Sequence, residues 1–153
     1  MSGEDVRRRE LPNEVLLPEV AALLAAGSDV TLLTKGNSML PFIRGGRDSV
    51  RLRKFPAVAP GDIVLARLPA GNFVLHRVLR ADGGALTLMG DGNVRGTESC
   101  RAEDVAGTVV AVVRPDGRER APGRARAWKA LRPLRRYLLA AYRRLFKRNV
   151  QIL

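Results

Sequence analysis

The chain has 153 residues, enough for one domain with a substantial core and a tail. Its apolar content of 46% is that of a folded protein, and aromatics at 5% leave the core to Val, Leu and Ala. A single cysteine, Cys100, excludes an intrachain disulfide framework, and no window approaches the ~20 apolar residues of a membrane-spanning helix.

The net charge of +12 is unevenly spread. Residues 1–120 hold 17 Lys and Arg against all 15 acidic residues. Residues 121–153 hold 10 Lys and Arg and no acid. The basic balance therefore speaks about the partner of the tail, not about the chemistry of the body.

In chain order, residues 1–12 are charged and carry no periodic pattern. MSGEDVRRRELPNE lacks an apolar stretch behind its charges and does not read as a signal peptide, so a cytoplasmic location is expected. Asn13 to Ala26 reads as a helix, with Val15, Leu16, Val20, Leu23 and Leu24 at helical spacing and Gly27 as its stop. Pro18 conflicts with a continuous helix and allows a shorter one starting near it.

From Asp29 the pattern turns to strands: 30–34, 49–53, 62–68, 72–80, 85–89 and 105–113. ADGG at 81–84 reads as a hairpin turn. Six short strands without interleaved helices predict a mainly β body. The domain reading is an N-terminal tail and helix (1–28), a β domain (29–114), a linker (115–126) and a basic amphipathic C-terminal helix (127–153).

Amide hydrolysis needs a nucleophile, a base for its proton and donors for the oxyanion. The chain has one histidine, His76, in the alternating run FVLHRVL, with Val74 and Val78 on its face. Ser38 lies in TKGNSMLPFI, where Gly36 and Asn37 permit an unusual backbone before it and Pro41 stiffens the turn after it. Such a turn exposes the hydroxyl and aims the serine's own amide at the reacting atom. Asp91 lies in LMGDGNV, a glycine-flanked turn after a strand. Taken singly, each has a plainer role: a satisfied strand histidine, a loop serine and a turn aspartate. Asp62 in PGDIV reads as a turn residue, and Cys100 as an inert thiol among polar neighbours.

GNSMLPF, PGDIVLARL, FVLHRVL and LMGDGN, in that order, resemble the signal peptidase I and LexA-type serine peptidase superfamily. The resemblance runs from about Lys35 to Val113. A histidine stands where bacterial signal peptidases and LexA carry a lysine, so the chain looks like the Ser/His branch. The resemblance implies a compact signal-peptidase/LexA-like β body and a serine endopeptidase acting on a peptide or protein precursor. Ser38 would be the nucleophile, His76 the base and Asp91 the acid that orients it. The family's second acid has Glu98 as its nearest counterpart, in a segment that aligns poorly. Asn37, in place of the missing helper hydroxyl at Gly36, would serve the oxyanion with the Ser38 amide. Met39 and Leu40 would line a groove that takes the peptide as an added strand. No cofactor or metal is expected.

Within these residues neither a spanning anchor nor a preceding DNA-binding domain is expected, a departure from the family. The bond Ala26–Gly27 resembles a LexA-type self-cleavage site, but it lies close to Ser38 and Gly27 is a natural helix stop. The C-terminal helix could rest on an anionic membrane surface, or its apolar side could pack on the body with solvated arginines. Two other function classes remain open: a non-catalytic peptide-binding module on the same fold and a basic nucleic-acid-binding protein. The second is disfavoured because the β body has no aromatic stacking platform.

Overall fold

The computed structural model describes residues 13–93, 96–123 and 134–146. The strand patterns assemble into one curled, antiparallel half-barrel sheet. Its strands are β1 (Val30–Leu33), β2 (Ser49–Arg53), β3 (Ile63–Arg67), β4 (Phe73–Asp82), β5 (Ala85–Met89), β6 (Glu98–Arg101), β7 (Val105–Val113) and β8 (Glu119–Arg120). The order across the sheet is β1-β2-β7-β3-β4-β5-β6, with β8 pairing to β7. The mainly β expectation therefore holds.

Two strands escape sequence reading. ESCR at β6 is short and polar, and it pairs along β5 at the edge of the sheet. Within the stretch 115–126, expected as a linker, residues 115–120 instead close a hairpin. The Arg114 N–H donates to the Arg118 carbonyl at 2.8 Å, and β8 pairs Val112 with Arg120. The expected hairpin at 81–84 is present. Gly83 and Gly84 have φ of +55° and +87° between the paired Asp82 and Ala85, the backbone that two-residue hairpin loops demand.

Alternation sends side chains to two cores. Val50, Leu52, Ile63, Leu65, Val109 and Val112 join Val20 and Leu24 of helix α1 (Asn13–Ala25) in one cluster. Val64, Ala66, Val78, Leu86, Leu88, Cys100 and Val105 form the other. Each fully buried aliphatic side chain contributes about 1.5–3 kcal/mol relative to exposure.

Pro18 lies inside α1 and is exposed; lacking an N–H, it cannot donate to the Glu14 carbonyl. Gly27 (φ +94°) ends the helix with the paired bonds Gly27 N–H to Leu24 O and Ser28 N–H to Leu23 O, the geometry of a left-handed C-terminal cap. Helix α2 (Arg135–Phe146) forms the central part of the expected C-terminal helix; residues 124–133 and 147–153 lie outside the described residues.

The loop from β1 to β2 carries Ser38, and a buried carboxylate organises it. Asp48 is 0% exposed. It accepts from Arg44 N–H at 2.9 Å and from Arg47 Nε at 2.8 Å, while its backbone carbonyl takes the Thr34 hydroxyl at 2.7 Å. Burial works against its charge, but the Arg47 and Arg44 hydrogen bonds outweigh it and hold the carboxyl below its usual value. The stabilisation is therefore present above the ordinary aspartate pKa and is lost as pH falls through the lowered value. Asp48→Ala leaves the Arg44 N–H unpaired and should destabilise the fold by about 1–3 kcal/mol in urea denaturation. Its penalty should shrink in strongly acidic buffer, where the wild-type carboxyl is protonated.

Candidate active site

Ser38 sits in a tight turn between β1 and β2. Leu40 N–H donates to the Asn37 carbonyl at 3.2 Å, and Phe42 and Ile43 N–H donate to the Met39 carbonyl. Ser38 is partly exposed, and Asn37 is exposed. The backbone N–H of Ser38 has no hydrogen-bond partner among the described residues.

A second turn, 90–93, holds the serine turn from outside. Gly92 N–H donates to the Ser38 carbonyl at 2.7 Å. A Cβ on Gly90 would lie 2.4 Å from the Ser38 carbonyl oxygen, and one on Gly92 would lie 2.5 Å from that of Asn37. Backbone cannot yield at such distances, so both glycines of MGDGN are required by the approach of the two turns. The sequence shows these glycines but not this reason for them.

His76 projects from β4, which pairs it with Val64 on β3, onto the face of the second core. It is 6% exposed. Its Nδ1 meets Glu98 Oε2 at 2.8 Å, and Glu98 is only partly buried. The strand register explains the contact: Val78 faces Leu88, and Leu88 faces Glu98 at the start of β6, all on the face of His76. The carboxylate on the imidazole is thus Glu98, the residue that sequence alignment leaves uncertain. Alternation and spacing carry no sign of it, because β6 has no apolar pattern.

Asp91, expected in that role, is held by Arg77 instead. Arg77 Nε lies 2.9 and 3.1 Å from the two Asp91 oxygens, and Nη2 lies 2.8 Å from Oδ2. Both side chains are buried, at 4% and 3% exposure. Arg77 is the residue after His76, so it points to the opposite face of β4. Its Nη1 donates to the carbonyls of Gly61 and Gly123 at 2.8 and 2.9 Å, and its guanidinium lies 5.6 Å from the Phe42 ring centroid.

Met39 and Leu40, expected along a groove, are buried at 4% and 5% exposure. Met39 belongs to the first core, and its sulfur accepts the Asp91 N–H at 3.5 Å. It anchors the serine turn rather than facing a ligand. Asp62 is a turn residue as expected, accepting the Ala59 N–H at 2.9 Å. Cys100 is buried, with its thiol pushed up by desolvation and by Asp104, which suits an inert group.

No hydrogen bond joins Ser38 to His76 among the described residues. The structure gives an imidazole in contact with a carboxylate and a separately held serine turn. With Nδ1–H donated to Glu98, Nε2 carries the lone pair and can accept a proton. No cluster among the described residues has the make-up of a metal site. Comparison with family models and with curated proteins finds no match to this chain.

The two carboxylates differ in what their loss should do. Asp91→Ala leaves the Arg77 guanidinium buried without its partner and should cost about 3–5 kcal/mol. Glu98→Gln removes a charge from a partly solvated edge and should move stability by less than about 1 kcal/mol. Urea denaturation of both variants measures the contrast.

Proposed function

We propose that the chain is a serine endopeptidase resembling signal peptidase I, on a signal-peptidase/LexA-like β body, cleaving a peptide or protein precursor. The observation that carries the reading is the buried imidazole whose Nδ1 meets a carboxylate, Glu98, at 2.8 Å. That arrangement holds the ring in one orientation, as a general base requires. The ordered resemblance of GNSMLPF, PGDIVLARL, FVLHRVL and LMGDGN supports it, as does a Ser38 N–H without a hydrogen-bond partner among the described residues.

In the proposed reaction His76 Nε2 takes the Ser38 Oγ proton as the oxygen attacks the scissile carbonyl. The Ser38 N–H donates to the oxyanion, with Asn37 close by in the same exposed turn. His76 then protonates the leaving amine, and water resolves the acyl-enzyme by the same steps. The Ser38 hydroxyl must come within about 3 Å of Nε2 when substrate is bound. Glu98 takes the orienting part, and Asp91 acts on the serine turn through its own turn.

The absent Ser38–His76 hydrogen bond favours a second reading, a non-catalytic peptide-binding module on the same fold. Incubating the full chain with a peptide library separates the two. The proposal expects cleavage that Ser38→Ala and His76→Ala abolish, and that Glu98→Gln lowers by about 10²–10⁴-fold in kcat. Binding without cleavage by the wild type supports the module. Undiminished cleavage by Ser38→Ala overturns the proposal.

A further inference from the structure

We infer that helix α2 is a docking element for an anionic lipid surface. Two arrangements of this helix are compatible with its composition: apolar side against the body, or apolar side outward. Leu139 is 1% exposed, so that side of the helix is covered. Leu134, Tyr137 and Leu138 are 53%, 59% and 40% exposed, and Ala141 is also exposed. These four fall at i, i+3, i+4 and i+7, a single stripe. Leu139 lies about 150° around the axis from the centre of that stripe, by the ~100° step of an α-helix. The apolar stripe therefore faces outward while the Leu139 side is covered.

Charge identifies what covers the stripe. Arg135 and Arg136 precede most of it and Arg143 and Arg144 follow it, within a segment 121–153 holding 10 basic residues and no acid. A second copy of the helix would bring like charges together. Phosphate groups of nucleic acid would satisfy the arginines but leave Leu134, Tyr137 and Leu138 without a role. An anionic bilayer offers both headgroup charge and an acyl boundary for a stripe of this width. Among the described residues no helix is long and apolar enough to cross a membrane, so the mode is in-plane.

The strand leading toward the helix is tied to the candidate site. Arg77 Nη1 holds the Gly123 carbonyl at 2.9 Å, and Arg120 Nη2 donates to the Phe42 carbonyl. Lipid docking through α2 would thus keep the serine turn close to a membrane-borne substrate, although the docking inference stands without any catalytic reading.

Co-sedimentation of the full chain with vesicles tests it. Vesicles of phosphatidylglycerol and phosphatidylcholine in equal parts should bind at least about tenfold more tightly than phosphatidylcholine alone, and added salt should weaken the binding. The variant Leu134→Glu/Tyr137→Glu/Leu138→Glu should lose about tenfold or more, and Leu138→Ser alone should fall between. Both alter exposed positions, so thermal unfolding should be unchanged. Equal binding to both vesicle types, no binding to either, or full binding by the triple variant overturns the inference. So does a preference for duplex RNA over vesicles that the triple variant leaves intact.

Discussion

The buried ion pair between Arg77 and Asp91 is the constraint on which the rest of the site depends. From β4, the Arg77 guanidinium reaches four other segments: the Gly61 turn, the Asp91 turn, the Gly123 carbonyl and the Phe42 ring. Taking two charges out of water is costly, and the cost is met here because nearly every guanidinium donor has an acceptor. The pair fixes the 90–93 turn, and that turn fixes Ser38 through the Gly92–Ser38 hydrogen bond. Removing either charge would therefore act on the serine without touching it.

Because β4 alternates, the arginine that holds the serine turn and the imidazole that would activate it point to opposite faces. One strand thus carries both the arginine of the buried pair and the imidazole that meets Glu98. Met39 packs in the core on the arginine side, while Glu98 meets His76 on the other. Two acids that look alike in sequence are separated in the same way, Asp91 to structure and Glu98 to the imidazole.

Much of the body was legible because its signals are local. Val50 and Leu52 alternate, Gly83 and Gly84 demand a hairpin, and Gly27 stops a helix. The pairing of Glu98 with His76 was not legible, since it depends on the register of a polar strand, β6, that shows no alternation. The same holds for β8, whose residues read as a linker until the Pro115–Gly117 turn brings them back on β7. Met39 and Leu40 were placed by resemblance along a groove, and their apolar side chains went where apolar side chains go, inward. Ser38, Asn37 and His76 were proposed from residue type and resemblance, but only coordinates show which carboxylate the imidazole meets.

The tautomer of His76 tests the account most directly. The chain has one histidine, so a long-range ¹H–¹⁵N correlation spectrum of the imidazole carries a single set of signals. With Glu98 as the acceptor, the neutral ring should hold its proton on Nδ1 in the wild type. In Glu98→Gln it should shift toward a mixture of tautomers. A wild-type ring protonated on Nε2, or a spectrum that Glu98→Gln leaves unchanged, would contradict the assignment of Glu98 as the residue that orients the base.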